Sequence, residues 1–385
     1  MQRRHFLDRL ACTLAGGGLA LSTAPALAAD EGLGANHVTF GSSLALTGPL
    51  GGAGSDNTAG ILAAFKAANA TGGVNGRELR LITLDDAYVP ERTVDNVKKL
   101  LDRNAAFALI STMGTANTAK VLPLVEAAGV PLVGPVTGAA SLRQPQLKQV
   151  FFVRASYRDE AVRLVDQIVT MGLKDIAIVY LDNPYGQEVL RDAQATLQAR
   201  GVKAVGSFAL AVDGSNAKDV ARQVAEARPG AVVLGTTGTA NTAVMLALRA
   251  QSGVLPLAGL SVSVISSELA KLGKAAQGMA MVQVFPDADK PKIAAVRAYQ
   301  AAMKAAGEEA RIGGSSFEGW VNAQVMIEGL RRAGRDLTRD KLRQALASAR
   351  RIDLGDYSLG FSGAGPFVAS RFVELAVLGA DGRRS

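Results

Sequence analysis

Residues 114–119 read Gly-Thr-Ala-Asn-Thr-Ala, and residues 238–243 repeat the same six residues without a change. Each copy follows a short apolar run, residues 107–110 and 232–234, of the kind that forms a buried strand. Each copy also precedes apolar residues at helical spacing. The chain therefore repeats one unit of strand, turn and helix, which predicts two lobes of similar build.

Each repeated turn lies between the carboxyl end of a strand and the first turn of a helix, which is where open α/β sheets bind ligands. Gly114 and Gly238 let a ligand approach the backbone, while Thr115 and Thr239 can cap the helix or contact the ligand. The free N–H groups of the helix attract an anion or a carbonyl oxygen. A single copy would be explained as a good helix start, because alanine favours helices and threonine caps them. The recurrence favours two turns that face a common cleft.

The composition is that of an ordinary globular protein with room for two domains. Of the 385 residues, 48% are hydrophobic and 20% are charged. The net charge is +8, but the lysines and arginines are scattered, and aromatic residues make up only 5% of the chain. No basic helix alternates with aromatic residues, so we interpret the charge as solvated surface and expect no nucleic acid partner.

Residues 1–28 have the pattern of a twin-arginine signal peptide. Arg3 and Arg4 precede an apolar region at 10–27, and the small residues of a cleavage site follow, so cleavage is expected after Ala28 or Ala29. A retained membrane anchor is the alternative, and the glycines within the region and the cleavage signal argue against it. The only cysteine, Cys12, lies before most of the apolar stretch, which disfavours a lipid-attached residue. We expect a periplasmic protein, peripheral to the membrane, whose mature form has no thiol.

Strand and helix patterns alternate along the rest of the chain, which predicts an α/β fold with two doubly wound parallel sheets. The first crossover between the lobes is expected near Tyr157. After the first strand, a glycine-rich turn at 47–54 leads into a helix predicted at 56–70. That turn does not meet the dinucleotide fingerprint, because Asn57 stands where G-x-G-x-x-G needs its third glycine.

Two other features have both a structural and a functional interpretation. Asp85 and Asp86 end the second predicted strand, but no acidic or histidine cluster accompanies them, so a solvated strand end or helix cap is preferred to a metal site. Trp320 can stack on a ligand, yet it shares a helical face with Phe317 and Ile327. That position favours packing in the core or between the lobes.

The side chains that most enzymes use are missing from the mature sequence. His37 is the only histidine after the signal segment, which removes histidine-based triads and histidine metal sites. Neither a G-x-S-x-G elbow nor a P-loop is present. We expect a binding protein with no catalytic residue, no metal and no cofactor. A ligand-sensing receptor of the same fold is an alternative, and a secreted hydrolase or NAD-dependent oxidoreductase is a weaker one.

Taken in order, the motifs of this chain resemble those of type I periplasmic ligand-binding proteins of ABC importers, in the leucine/isoleucine/valine-binding branch. The resemblance covers the mature chain and rests on LTGP at 46–49, GGVNGR at 72–77, DD at 85–86, GVP at 129–131, YG at 185–186, FS at 361–362 and FVEL at 372–375. It implies two lobes joined by a three-crossover hinge. Lobe I is then residues 29–156 with 285–369, and lobe II is residues 157–284 with 370–385. It also implies that a monomer closes on a small-molecule ligand and docks on an ABC permease with its ATPase.

The resemblance also assigns parts of a binding site. In the family, a hydroxyl residue at the position of Thr115 and backbone groups near Val136 and Gly138 hold the carboxylate of the ligand. Thr115 keeps that hydroxyl, and the aromatic residue expected at Tyr185 is also present.

The family's partner for an ammonium group is missing from its expected place. That acidic residue falls at Ser261 here, and aromatic residues expected near Ala53 and Gly238 are absent. An uncompensated ammonium in a closed cleft is strongly unfavourable. We therefore expect a ligand with acceptor or anionic groups, such as an organic acid or an amide, held between the two repeated turns.

Two side chains near the first crossover, Arg154 and Tyr157, each have a functional and a structural interpretation. Arg154 can add a positive charge to the site, although its counterpart in the family is structural. Tyr157 can contact the ligand or pack under the hinge. The complete set of predicted ligand-binding residues is Ala53, Gly114, Thr115, Val136, Thr137, Gly138, Tyr157, Tyr185, Thr237, Gly238, Thr239 and Ser261.

Overall fold

Two six-stranded sheets organise the chain. The computed structural model describes residues 32–102 and 106–379, so the predicted signal peptide, Cys12 and the cleavage site lie outside the described residues. The strands are β1 His37–Leu44, β2 Glu78–Asp85, β3 Ala108–Thr112, β4 Leu132–Val133, β5 Val150–Phe152, β6 Ile176–Leu181, β7 Gly206–Leu210, β8 Ala231–Gly235, β9 Leu257–Gly259, β10 Ala280–Gln283, β11 Ile352–Asp353, β12 Ser358–Leu359, β13 Phe367–Val368 and β14 Glu374–Val377. The helices are α1 Gly51–Asn69, α2 Pro90–Asp102, α3 Thr115–Ala128, α4 Tyr157–Thr170, α5 Pro184–Ala199, α6 Ala217–Ala227, α7 Gly238–Ser252, α8 Ser266–Leu272, α9 Ala294–Ala306, α10 Gly314–Ala333 and α11 Arg339–Ala347.

Both sheets have the same strand order. The first runs β2-β1-β3-β4-β5 and the second β7-β6-β8-β9-β10, with β13 or β14 added beside the last strand. The pairings of the first sheet are parallel, and β14 is the antiparallel strand of the second. This confirms the predicted α/β fold with two doubly wound sheets. The order reverses between β1 and β3 and between β6 and β8, so ligands are expected at those two switch points. We call the units around the two sheets the first and second lobe.

The repeated hexapeptides lie at the two switch points. Strand β3 leads into the first copy and helix α3, while β8 leads into the second copy and helix α7. Every residue of β3 and of β8 is buried, as expected for parallel strands covered on both faces by helices. The predicted unit of strand, turn and helix is therefore confirmed in both lobes.

Helix α1 begins earlier than its sequence predicts. It starts at Gly51 rather than near residue 56, so the second half of the predicted glycine-rich turn is helical. The physical reason is close packing, because a Cβ on Gly54 would lie 1.9 Å from the carbonyl oxygen of Ala45. These glycines fit the helix against the end of β1.

Helices α1 and α10 touch at their backbones. A Cβ on Gly60 would lie 1.9 Å from the Ser316 carbonyl oxygen, and one on Gly319 would lie 2.1 Å from that of Asn57. Trp320, in the same helix, is buried and stacks near Phe317 with ring centroids 5.9 Å apart. The core interpretation of Trp320 is therefore confirmed.

Candidate functional site

A cavity lies between the lobes, at the ends of the strands where the repeated turns begin. It contains about 910 Å³ of space, including the part that opens to solvent. Eight of the twelve predicted ligand-binding residues line it: Ala53, Gly114, Thr115, Val136, Tyr157, Tyr185, Thr237 and Ser261. The structure does not place Thr137, Gly138, Gly238 and Thr239 on its wall.

The first repeated turn presents the amino end of α3 to the cavity. Gly114 and Thr115 line the wall, and no described side chain caps the helix. Gly114 has φ of 97°, and a Cβ there would lie 2.5 Å from the Tyr88 ring, so only glycine fits. The buried hydroxyl of Thr115 lies 2.9 Å from that of Thr137, behind the wall. The uncapped N–H groups of this turn have the geometry and partial charge to attract a carboxylate.

The second repeated turn packs against the first lobe. Thr237, the residue before the repeat, lines the cavity and donates to the Val262 carbonyl oxygen at 2.5 Å. Gly238 has φ of 63°, and a Cβ there would lie 2.3 Å from the Pro49 carbonyl oxygen. Thr239 lines a separate cavity between the lobes. The two turns therefore approach each other, but they do not contribute equal halves of the main cavity.

Two buried tyrosines form an aromatic wall. The rings of Tyr157 and Tyr185 meet edge to face, with centroids 5.0 Å apart. Gly138 lies under Tyr157, because a Cβ on Gly138 would be 2.8 Å from the backbone nitrogen of Tyr157. The Thr137 side chain faces the Tyr157 side chain. Burial raises the pKa of both phenols, so they remain neutral at physiological pH. Thr137 and Gly138 thus support wall residues from behind.

A buried charged cluster adjoins this wall. Arg154 is 1% exposed, and its Nη2 lies 3.2 Å from Glu160 Oε1 while its Nη1 lies 3.3 Å from Glu318 Oε2. Its guanidinium also stands 5.5 Å from the Tyr157 ring centroid. Burial alone would lower the pKa of Arg154, but the carboxylates of Glu318 and Glu160 hold it above its ordinary value. Burial raises the pKa of both glutamates, and Arg154 opposes that rise. Arg154 is therefore the shared partner of two acids.

Ser261 lines the cavity with its polar atoms already engaged. Its hydroxyl accepts a short hydrogen bond from Arg154 Nη2. Its backbone N–H donates to Glu160 Oε2 at 2.7 Å. Ser261 therefore joins the second lobe to the charged cluster.

Tyr88 lines the cavity, although no sequence motif singled it out. It follows Ala87, and both residues have positive φ, 49° and 65°. Asp86 holds this strained loop, because its carboxylate accepts from the Tyr88 N–H and the Thr93 hydroxyl, each at 2.9 Å. The predicted solvated strand end is therefore wrong for Asp86, which is fully buried. The adjacent acids Asp85 and Asp86 were the sequence signal for Tyr88, because Asp86 holds the loop that places Tyr88 on the cavity wall.

Three buried polar atoms on the wall have no hydrogen-bond partner within the described residues. They are Asn57 Oδ1, Arg154 Nε and Gln283 Nε2. Buried polar groups are nearly always paired, so these atoms are candidates for ligand contacts. Asn57 entered the sequence analysis only as the residue that breaks a fingerprint. Gln283 and Glu318, which also lines the cavity, belong to no motif.

The lobes are in contact around the cavity. Ser141 of the first lobe donates through its hydroxyl to Glu188 Oε2 of the second at 2.6 Å. The Tyr88 hydroxyl faces the side chain of Asn183, which lies in the second lobe. The two lobes are therefore in direct contact beside the cavity.

Among residues 32–102 and 106–379, no cluster of three or more histidine, cysteine, aspartate or glutamate side chains is placed to hold a metal ion. No helix in those ranges is both long enough and apolar enough to span a membrane.

Known proteins of one family match this chain. A family model described as periplasmic binding protein matches residues 37–369. A Leu/Ile/Val-binding protein homolog 7 from Brucella suis is 24% identical over 368 residues, covering 89% of this chain and 88% of that protein. An amino acid binding protein from Pseudomonas aeruginosa is 27% identical over 138 residues, which is 36% of this chain and 37% of that protein. A substrate-binding periplasmic protein from Ralstonia solanacearum matches with a TM-score of 0.84 and 29% identity, covering 90% of this chain and 99% of that one.

Proposed function

The chain belongs to the periplasmic binding protein family, and from that membership we propose that it is the solute-binding component of an ABC importer. In this proposal, the two lobes close on a small polar or anionic ligand, and the closed protein delivers it to a membrane permease with its ATPase. The protein reaches the periplasm by the twin-arginine route, acts as a monomer and catalyses no reaction. Lobe I comprises residues 29–156 and 285–369, and lobe II residues 157–284 and 370–385.

The observation that carries the proposal is the uncapped amino end of α3, which faces a cavity between two contacting lobes. A helix end of this kind attracts an anionic or acceptor group of a ligand. The rest of the wall is largely apolar, with side chains such as Leu50, Met113, Val136 and Phe285. This combination favours a carboxylate or amide attached to a hydrocarbon body.

The ligand classes to test first follow from these features and from the relatives. The relatives are described as Leu/Ile/Val-binding and amino acid binding proteins, so branched-chain amino acids head the panel. The corresponding organic acids and amides follow, because they keep the acceptor group that α3 would hold.

A thermal-shift screen of the mature protein tests the proposal, combined with mass spectrometry of whatever co-purifies. A ligand at 100 times its dissociation constant adds about 2.7 kcal/mol of stability, which gives a clear rise in melting temperature. The ligand should also be recovered unchanged, and its uptake should be lost in cells that lack the gene and restored when the gene is returned. If no small molecule raises the melting temperature and none co-purifies, the proposal is wrong.

A further inference from the structure

Two hydrogen-bond acceptors face the same part of the cavity wall. Glu318 lies on α10 and Asn57 on α1, and both line the cavity. The two helices touch here, since a Cβ on Gly319 would lie 2.1 Å from the Asn57 carbonyl oxygen. Asn57 Nδ2 donates to the Ser315 carbonyl oxygen at 3.2 Å, which turns Oδ1 away from that contact. A carboxylate and an amide oxygen therefore both line the part of the cavity where α1 and α10 meet.

Neither acceptor is well satisfied within the described structure. Asn57 is fully buried, and its Oδ1 has no partner there. If the amide nitrogen and oxygen of Asn57 were exchanged, Oδ1 would face the Ser315 carbonyl oxygen without a hydrogen between them. The hydrogen bond to Ser315 therefore determines the orientation of the Asn57 amide. Both oxygens of Glu318 face one nitrogen, Arg154 Nη1, at 3.3 and 3.4 Å, beyond the usual range. Glu160 is better paired, because it also accepts a backbone N–H at 2.7 Å.

The two glutamates share one salt-bridge partner within the described residues. Arg154 faces both Glu160 and Glu318. Arg143 is the next cation, but it faces Asp159 as well as Glu160 and does not line the cavity. A buried carboxylate that is weakly paired is unfavourable. Of the two glutamates, Glu318 is the one on the cavity wall, so it is the carboxylate that a cationic group of a ligand can reach.

We propose that Glu318 and Asn57 form a subsite for a protonated amine, so that the ligand carries a positively charged nitrogen as well as the acceptor group held at Thr115. An ammonium has three N–H donors, which suit a carboxylate and an amide oxygen together, and its charge gives Glu318 a second cationic partner. This subsite differs from the position of Ser261, where the resemblance places the acidic partner. The inference rests on the proposed function, because it names the ligand class of the same cavity.

Calorimetry with matched probes tests the subsite. Leucine is compared with 4-methylpentanoate, which lacks the ammonium, and 6-aminohexanoate with hexanoate, which covers a longer spacing between the two groups. We expect at least one amino compound to bind ten or more times tighter than its nitrogen-free partner. Glu318→Gln, which keeps the side-chain shape, should reduce that ratio at least tenfold.

Two further variants separate recognition from folding. Asn57→Ala should reduce the same ratio to a smaller extent, because it removes an acceptor without changing charge. Glu268→Gln changes a buried glutamate that does not line the cavity, so it should leave the ratio as it is in the unmodified protein. Reversible unfolding of each variant establishes that it is folded before binding is measured.

The possible outcomes distinguish this inference from the proposed function. If nitrogen-free acids bind as tightly as amino compounds, or if Glu318→Gln leaves the ratio unchanged, the amine subsite is refuted while ligand binding stands. If none of these probes binds, the ligand found in the thermal-shift screen tests the subsite instead. A ligand without a positively charged nitrogen refutes it. If no ligand of any class binds, the proposed function fails first.

Discussion

Replacing Thr115 by alanine tests whether the first repeated turn holds the acceptor end of the ligand. Thr115 lines the cavity, and its hydroxyl lies 2.9 Å from the Thr137 hydroxyl. Because a hydroxyl has one donor and two acceptor positions, it can bond Thr137 and the ligand at once. A hydrogen bond to a charged group contributes about 1.5–3 kcal/mol, so Thr115→Ala should raise the dissociation constant of a carboxylate ligand about 10- to 150-fold.

Thr118 provides a control within the same hexapeptide. It is buried, its hydroxyl lies 3.0 Å from that of Thr112, and it does not line the cavity. Thr115→Ala and Thr118→Ala each remove one hydroxyl from a buried pair, so each should lower the free energy of unfolding by about 1 kcal/mol. Calorimetric titration and denaturant unfolding measure the two effects separately. Equal dissociation constants for the two variants would refute a ligand contact by Thr115.

Three further predictions concern closure and charge. Gly238→Ala should weaken ligand binding about 5- to 150-fold, because overpacking against the first lobe in the closed state costs about 1–3 kcal/mol. Gly129 has a similar positive φ, but a Cβ there would meet no other atom, so Gly129→Ala is the control. Calorimetry should find the dissociation constant of this variant unchanged, and equal weakening in both variants would contradict the closure argument. Tyr88→Phe removes the hydroxyl that faces Asn183 across the cleft. A hydrogen bond between them would contribute about 0.5–1.5 kcal/mol, so the change should weaken binding about 2- to 12-fold, whereas unchanged affinity would exclude that role. Binding of an amine should weaken as pH falls through the raised pKa of Glu318, because the ionised carboxylate is the binding form, and Glu318→Gln should abolish this dependence in titrations at several pH values.

The fold was largely predictable because its signals are local. Strands β3 and β8 read as continuous apolar runs, since a parallel strand is covered on both faces, and an identical turn follows each of them. The start of α1 was not predictable in the same way. Gly51 and Gly54 look like loop residues in a sequence, but here they allow a helix to pack on the end of β1, which depends on tertiary contacts.

The candidate site was only partly predictable, for a related reason. Thr115 could be found from its repeated turn, and the structure places it on the cavity wall. Asn57 and Glu318 are distant in sequence and become neighbours only because α1 and α10 touch at Gly60 and Gly319. No periodicity or motif encodes that contact. The serine at position 261 therefore predicts no acidic partner in the site, although Glu318 lines the cavity from another helix.

The charged cluster connects recognition with the arrangement of the lobes. Arg154 contacts Glu318 of the first lobe and both Glu160 and Ser261 of the second. Both glutamates share this single salt-bridge partner while the lobes are in contact, and moving the lobes apart would bring water to them. On this reasoning, a protonated amine beside Glu318 stabilises the closed arrangement more than the open one, because the closed cluster lacks solvent to offset its charge. Ligand charge would then contribute to closure itself, and affinity and closure should weaken together in Glu318→Gln.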